Sequence, residues 1–71
     1  MKVEYKAGTT ESEMLLCTAQ VGAIQRMLIA EPEIFSLKDI QVLLGKYEKY
    51  IYNYTSVCVA LHKGIAVDLT L

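Results

Sequence analysis

Lys49, Tyr52, Asn53 and Ser56 recur at spacings of three and four, which on a helix puts an ammonium, an aromatic ring, an amide and a hydroxyl on one surface. Such a set could stack a base and hold a phosphate or ribose, a small anionic, nucleotide-like ligand. Four of the five tyrosines fall in the surrounding stretch Tyr47 to Tyr54. No glycine-rich phosphate loop or basic cluster accompanies it, so the favoured reading of the face is a contact between subunits, where tyrosine is enriched.

Other reactive residues read more plainly. His62 is the single histidine, and its place in a last helical turn is explained by the helix dipole. Cys17 and Cys58 fall on apolar positions, where a free thiol behaves as a small hydrophobe rather than as a nucleophile with a base beside it. With one histidine, two cysteines and no Cys-x-x-Cys spacing, no metal site is formed from the sequence. No cofactor and no catalytic residue is implied, and the reading is of a protein that is not an enzyme.

The elements that must position these residues are marked by periodicity. Met14, Cys17, Val21, Ile24 and Leu28 alternate at spacings of three and four, as do Leu37, Ile40, Leu44, Tyr47, Ile51, Tyr54, Cys58 and Leu61. That is the stripe of helices packed side by side. Thr10 with Glu13, and Ser36 with Asp39, have capping-box spacing, and Phe35 with Ile40 a hydrophobic staple. Pro32 stops the first helix, and Gly64, after His62 and Lys63, stops the second. At the ends, Met1, Val3 and Tyr5 alternate with charged residues, and Ile65, Val67, Leu69 and Leu71 with Ala66, Asp68 and Thr70, the period of half-buried strands.

The expectation is therefore one domain over residues 1–71 with strand 1–6, helix 10–30, helix 36–63 and strand 65–71. It is an α+β, helix-dominated, β-α-α-β chain with a long antiparallel helical hairpin. Its short terminal strands pair antiparallel, and oligomerisation completes the fold. In that register Cys58 lies about nine residues beyond the level of Cys17, ~13 Å along the axis, too far for a disulfide.

Composition bounds the partners. Seventy-one residues bury a modest core, and chains of this size often need a disulfide, a metal or self-association. From Met14 to Ala30 the only charge is Arg26, and from Tyr50 to Leu61 there is none. Such runs call for cover by further copies of the chain, with Tyr50, Tyr54, Val57, Cys58 and Leu61 as the oligomer interface. Net charge is −1, which disfavours nucleic acid. The charge-poor runs fall short of a bilayer span, and Met1 to Lys6 holds no apolar leader core, so a cytoplasmic, soluble protein without a membrane partner is expected.

The first choice is a small non-enzymatic homo-oligomeric binding protein, of the inhibitor, antitoxin or adaptor type that includes phage proteins, acting on one host protein. One alternative is a sponge for a small anionic nucleotide-like ligand at subunit junctions. Another is a DNA-binding regulator using Lys2, Glu4 and Lys6 on a dimeric β-ribbon. Its strand-helix-helix order is similar in topology to the ribbon-helix-helix repressors, but the helices expected here are longer, and no family's motifs are matched. On the thiols the sequence makes a direct prediction. Replacing both cysteines with alanine should leave any activity intact and cost roughly 1–3 kcal/mol of stability in a denaturant titration. Lost activity with unchanged circular dichroism would point to thiol chemistry instead.

Overall fold

The computed structural model describes residues 1–71. Its helices are α1 (Glu11–Ala30), α2 (Leu37–Leu44) and α3 (Tyr54–Lys63), with a 3-10 turn at Gly45–Tyr47 extending α2. Both capping boxes form. Thr10 Oγ1 accepts from the Glu13 N–H at 3.2 Å while Glu13 Oε1 accepts from the Thr10 N–H at 2.8 Å. Ser36 and Asp39 make the same exchange at 3.2 and 3.1 Å. These backbone donors hold the Glu13 and Asp39 carboxyls below their ordinary range. Gly64 ends α3 in the left-handed region at φ 75°, where a residue with a Cβ is strained.

The expected helix 36–63 does not exist as one rod. It breaks between Tyr47 and Tyr54, and α3 packs back against α2, the most extensive helix contact in the chain. The Tyr54 hydroxyl donates to the Gln41 carbonyl across that contact. Two causes act together. The run Tyr47, Tyr50, Ile51, Tyr52, Tyr54 is a poor helix former through restricted χ1. The N-terminal segment then offers the broken stretch other partners. The Lys6 N–H donates to the Tyr50 carbonyl at 2.9 Å and the Tyr52 N–H to the Glu4 carbonyl at 2.7 Å.

The terminal strands are also corrected. There is no sheet, only two isolated bridges, Tyr5 with Ile51 (antiparallel) and Lys2 with Asp68 (parallel). The termini meet in parallel because the fold-back adds one more chain reversal. Two helices would return the C-terminal segment antiparallel to the N-terminal one, and three return it parallel. The Met1 amino group donates to the Ala66 carbonyl at 2.8 Å, and the Asp68 N–H to the Met1 carbonyl at 2.6 Å. The alternation read from sequence holds over residues 2–6 and 66–70 but fails at Met1, Ile65 and Leu71, which are exposed. Val3 and Val67 are buried, Tyr5 and Leu69 are half-buried, and Lys2, Glu4, Lys6, Ala66, Asp68 and Thr70 are exposed.

Two carboxamides do what a sheet partner would have done. Asn53 Oδ1 accepts from the Glu4 N–H at 2.8 Å while its Nδ2 donates to the Lys2 carbonyl at 3.0 Å. On α1, Gln25 Oε1 accepts from the Val67 N–H at 2.7 Å and Nε2 donates to its carbonyl at 3.4 Å. Gly22 lies one turn before Gln25, and a Cβ there would approach Leu69 Cδ1 to 3.1 Å, so this glycine admits the C-terminal segment against α1.

One cluster of thirteen buried apolar side chains joins these parts: Val3, Cys17, Val21, Ile24, Leu28, Ile40, Leu44, Ile51, Val57, Cys58, Ala60, Leu61 and Val67. It contains no charged or polar side chain. Two substitutions should move stability in opposite directions in a denaturant titration. Asn53→Ala removes both hydrogen bonds to the N-terminal segment and should cost about 1–2 kcal/mol. Gly45→Ala should add about 0.5–1 kcal/mol, because Gly45 has helical angles (φ −58°, ψ −33°) and a Cβ there meets nothing nearer than the Tyr54 hydroxyl at 4.0 Å.

Candidate functional site

The surface expected from Lys49, Tyr52, Asn53 and Ser56 is only partly assembled. Tyr52, Asn53 and Ser56 line one open groove of about 640 Å³, together with Glu4, Lys6, Glu48, Ile51, Tyr54 and Thr55. Lys49 does not line it. The helix that would have carried Lys49 to that face is broken, and its ammonium lies over the Tyr50 ring at 5.2 Å, a surface cation–π contact. Lys6 takes its place, brought by the docked N-terminal segment, a juxtaposition that no local spacing reveals. The aromatic platform is available, since Tyr52 is 73% exposed. Asn53 is engaged through both ends of its amide with Glu4 and Lys2.

The groove's charges weigh against an anion. Glu4 and Glu48 face it with Lys6 as the one cation, and a phosphate would meet more negative than positive charge in its own neighbourhood. Tyr52, Thr55 and Ser56 leave a rim of hydroxyls and one exposed ring, better matched to a neutral or cationic polar group.

The residues expected at an oligomer interface lie elsewhere than on a free surface. Val57, Cys58 and Leu61 are at most 3% exposed within the single chain, and Tyr50 and Tyr54 are half-buried against the same core. The cover that the charge-free stretch demands comes from α2 and the terminal segments. Burial raises the Cys58 and Cys17 thiols above their ordinary range, so neither offers a thiolate nucleophile, and both are free. His62 is exposed in the last turn of α3. No group of three or more histidine, cysteine, aspartate or glutamate side chains is arranged to hold a metal ion.

A second cavity of about 300 Å³ opens between the C-terminal ends of α1 and α3, lined mainly by Leu28, Ile29, Pro32, Leu61 and Ile65. Its one polar side chain, Gln25, is already bonded to Val67 at both ends, so no free polar group would orient a ligand there. No helix is long and apolar enough to cross a membrane. The chain matches no protein-family model, no curated protein and no solved structure.

The charge-poor run Met14 to Ala30 leaves an open apolar face on α1. Leu15, Leu16 and Met27 are 53, 58 and 42% exposed, although α1 also buries Cys17, Val21, Ile24 and Leu28. The signal was present in the single charge between Met14 and Ala30, but which side of the helix stays open depends on how the rest of the chain packs.

Tyr54 provides a titration test of the fold-back. Desolvation by burial, reinforced by neighbouring Cys58, pushes its hydroxyl up to about 12, against ~10 for a free tyrosine. A raised folded-state value means that the associated stability is complete below pH ~10 and is lost as the pH rises from there to about 12. Melting temperature should fall across that window, and Tyr54→Phe should flatten the fall while lowering stability at neutral pH through loss of the bond to Gln41. An unchanged alkaline profile would mean that Tyr54 is not buried against α2.

Proposed function

We propose that this protein is a small, non-enzymatic, homo-oligomeric interaction protein that works by occupying surfaces. One observation carries the reading: the outer face of α1 is broad, apolar and open to water, with Leu15, Leu16 and Met27 exposed and Arg26 the one charge between Met14 and Ala30. Exposed apolar area of this kind marks an interaction site in a protein that must remain in solution. Buried, protonated thiols and a fully partnered set of buried polar atoms leave little for chemistry in the interior. The inhibitor or adaptor role expected from the sequence fits this design, because such proteins need one complementary surface and no reactive centre.

A second reading, capture of a nucleotide-like ligand, is supported by the exposed Tyr52 ring above the groove and opposed by Glu4 and Glu48 in its lining. The DNA-regulator reading loses its support, because residues 2–6 pair with the break at 50–53 and present no ribbon. Equilibrium sedimentation and thermal melting, run on the same preparation, separate the remaining two. An interaction protein should sediment at two or more chain masses at micromolar concentration, with no shift in melting temperature from mono-, di- or cyclic nucleotides. A well-folded monomer would sink the homo-oligomer, and a melting shift abolished by Tyr52→Ala would establish the ligand reading by mass action.

A further inference from the structure

We propose that the outer face of α1 takes a second copy of this chain, the two α1 helices lying antiparallel about a two-fold axis beside Ala19. The proposal rests on the self-association argued above and states where it occurs. The buried side of α1 runs through Cys17, Val21, Ile24 and Leu28. Turning the helix by 100° per residue puts Leu15, Leu16, Ala19, Ala23 and Met27 on the opposite side with Arg26. All but the half-buried Ala23 are exposed.

Charge selects both the occupant and the direction. The face carries its cation, Arg26, near one end, and a carboxylate, Glu11, flanks it near the other, about 80° round the helix from Ala19, both exposed. Reversing the helix about a point beside Ala19 sets Arg26 of each copy level with the partner's Glu11 or Ser12, twice by symmetry. A surface whose two ends are opposite in sign is complementary to its own reversed copy, the condition for an isologous contact. Parallel pairing would instead stack Arg26 on the partner's Arg26. Antiparallel pairing centred on Val21 would set Glu11 against the partner's Glu31.

Size and shape agree with the same register. Ala19 then faces the partner's Ala19, and Leu16 lies within one residue of the level of the partner's Ala23, so large side chains meet small ones and the backbones can approach closely. From Ser12 to Ala30 the stripe is about 28 Å long and roughly 10 Å wide. That lies at the small end of specific interfaces, for which micromolar rather than nanomolar association is the expectation.

Equilibrium sedimentation of the full chain tests the proposal, with helicity by circular dichroism as the check on folding. Wild-type protein should dimerise at micromolar concentration, and Ala19→Glu should be a folded monomer. Arg26→Glu and Glu11→Arg should each weaken association about tenfold, through two symmetric pairs worth a fraction of a kcal/mol apiece. The double variant carrying both changes should return to within a few-fold of wild type. In addition, Ala19→Cys should form an intermolecular disulfide on mild oxidation, while Val42→Cys, 72% exposed in wild type on α2, should not. A monomeric wild type overturns the underlying self-association. A dimer indifferent to Ala19→Glu overturns this face alone, and a dimer that Ala19→Glu dissociates but the double charge exchange fails to restore overturns the antiparallel arrangement.

Discussion

The docking of residues 2–6 across the break at 50–53 is the constraint on which the rest of the molecule depends. Extended backbone brought into a fold must find partners for its N–H and C=O groups, and this chain has no sheet to supply them. Asn53 substitutes for a neighbouring strand by presenting an acceptor to Glu4 and a donor to Lys2 from one rigid amide. Lys6 and Glu4 then bond the backbone of Tyr50 and Tyr52. The N-terminal segment thereby holds the break open, and the open break lets α3 turn back on α2.

Everything buried follows from that reversal. Val57, Cys58, Ala60 and Leu61 join the core only because α3 faces α2, and the C-terminal segment reaches the N-terminus in parallel only because the chain has turned once more. Gln25 on α1 repeats the device at Val67. The two amides hold each end of the chain to a helix or turn near the middle of the sequence. A core of thirteen apolar side chains with no buried charge avoids the desolvation that an unpaired charge would impose. It also keeps every carboxylate, ammonium, guanidinium and imidazole at or near the surface.

What is left outside the core defines what the protein can do. The groove beside Tyr52 gathers charge of both signs from two distant segments. The free side of α1 gathers almost none. A polar groove of net negative lining and an apolar helix face are different recognition surfaces. The second is the one whose exposure to water is unfavourable, and burial of that face is therefore the event that the proposed assembly accomplishes.

Local chemistry determined much of the architecture. Thr10, Glu13, Ser36 and Asp39 fix where helices start, because a cap is satisfied within four residues, and Gly64 fixes where one ends. The three-and-four spacing identified side chains that are buried or half-buried throughout, from Met14 to Leu61, even though the helix assumed for the second half is broken. Turns of i+3 and i+4 hydrogen bonding, such as Tyr50 and Ile51 to Tyr47, preserve the facing of a helix while bending its axis. The sequence could not reveal the bend itself. The seam was continuous through Tyr47 to Tyr54, and the hydrogen bonds that favour breaking it come from residues almost fifty positions away. For the same reason local spacing points to Lys49 where the groove holds Lys6, and to an interface at Tyr50, Tyr54, Val57, Cys58 and Leu61, which the single chain buries or half-buries itself. Alternation determined that Val3, Tyr5, Val67 and Leu69 face inward, though not Met1, Ile65 or Leu71, but strand pairing and its direction depend on the number of chain reversals between the ends, and only the tertiary structure sets that number.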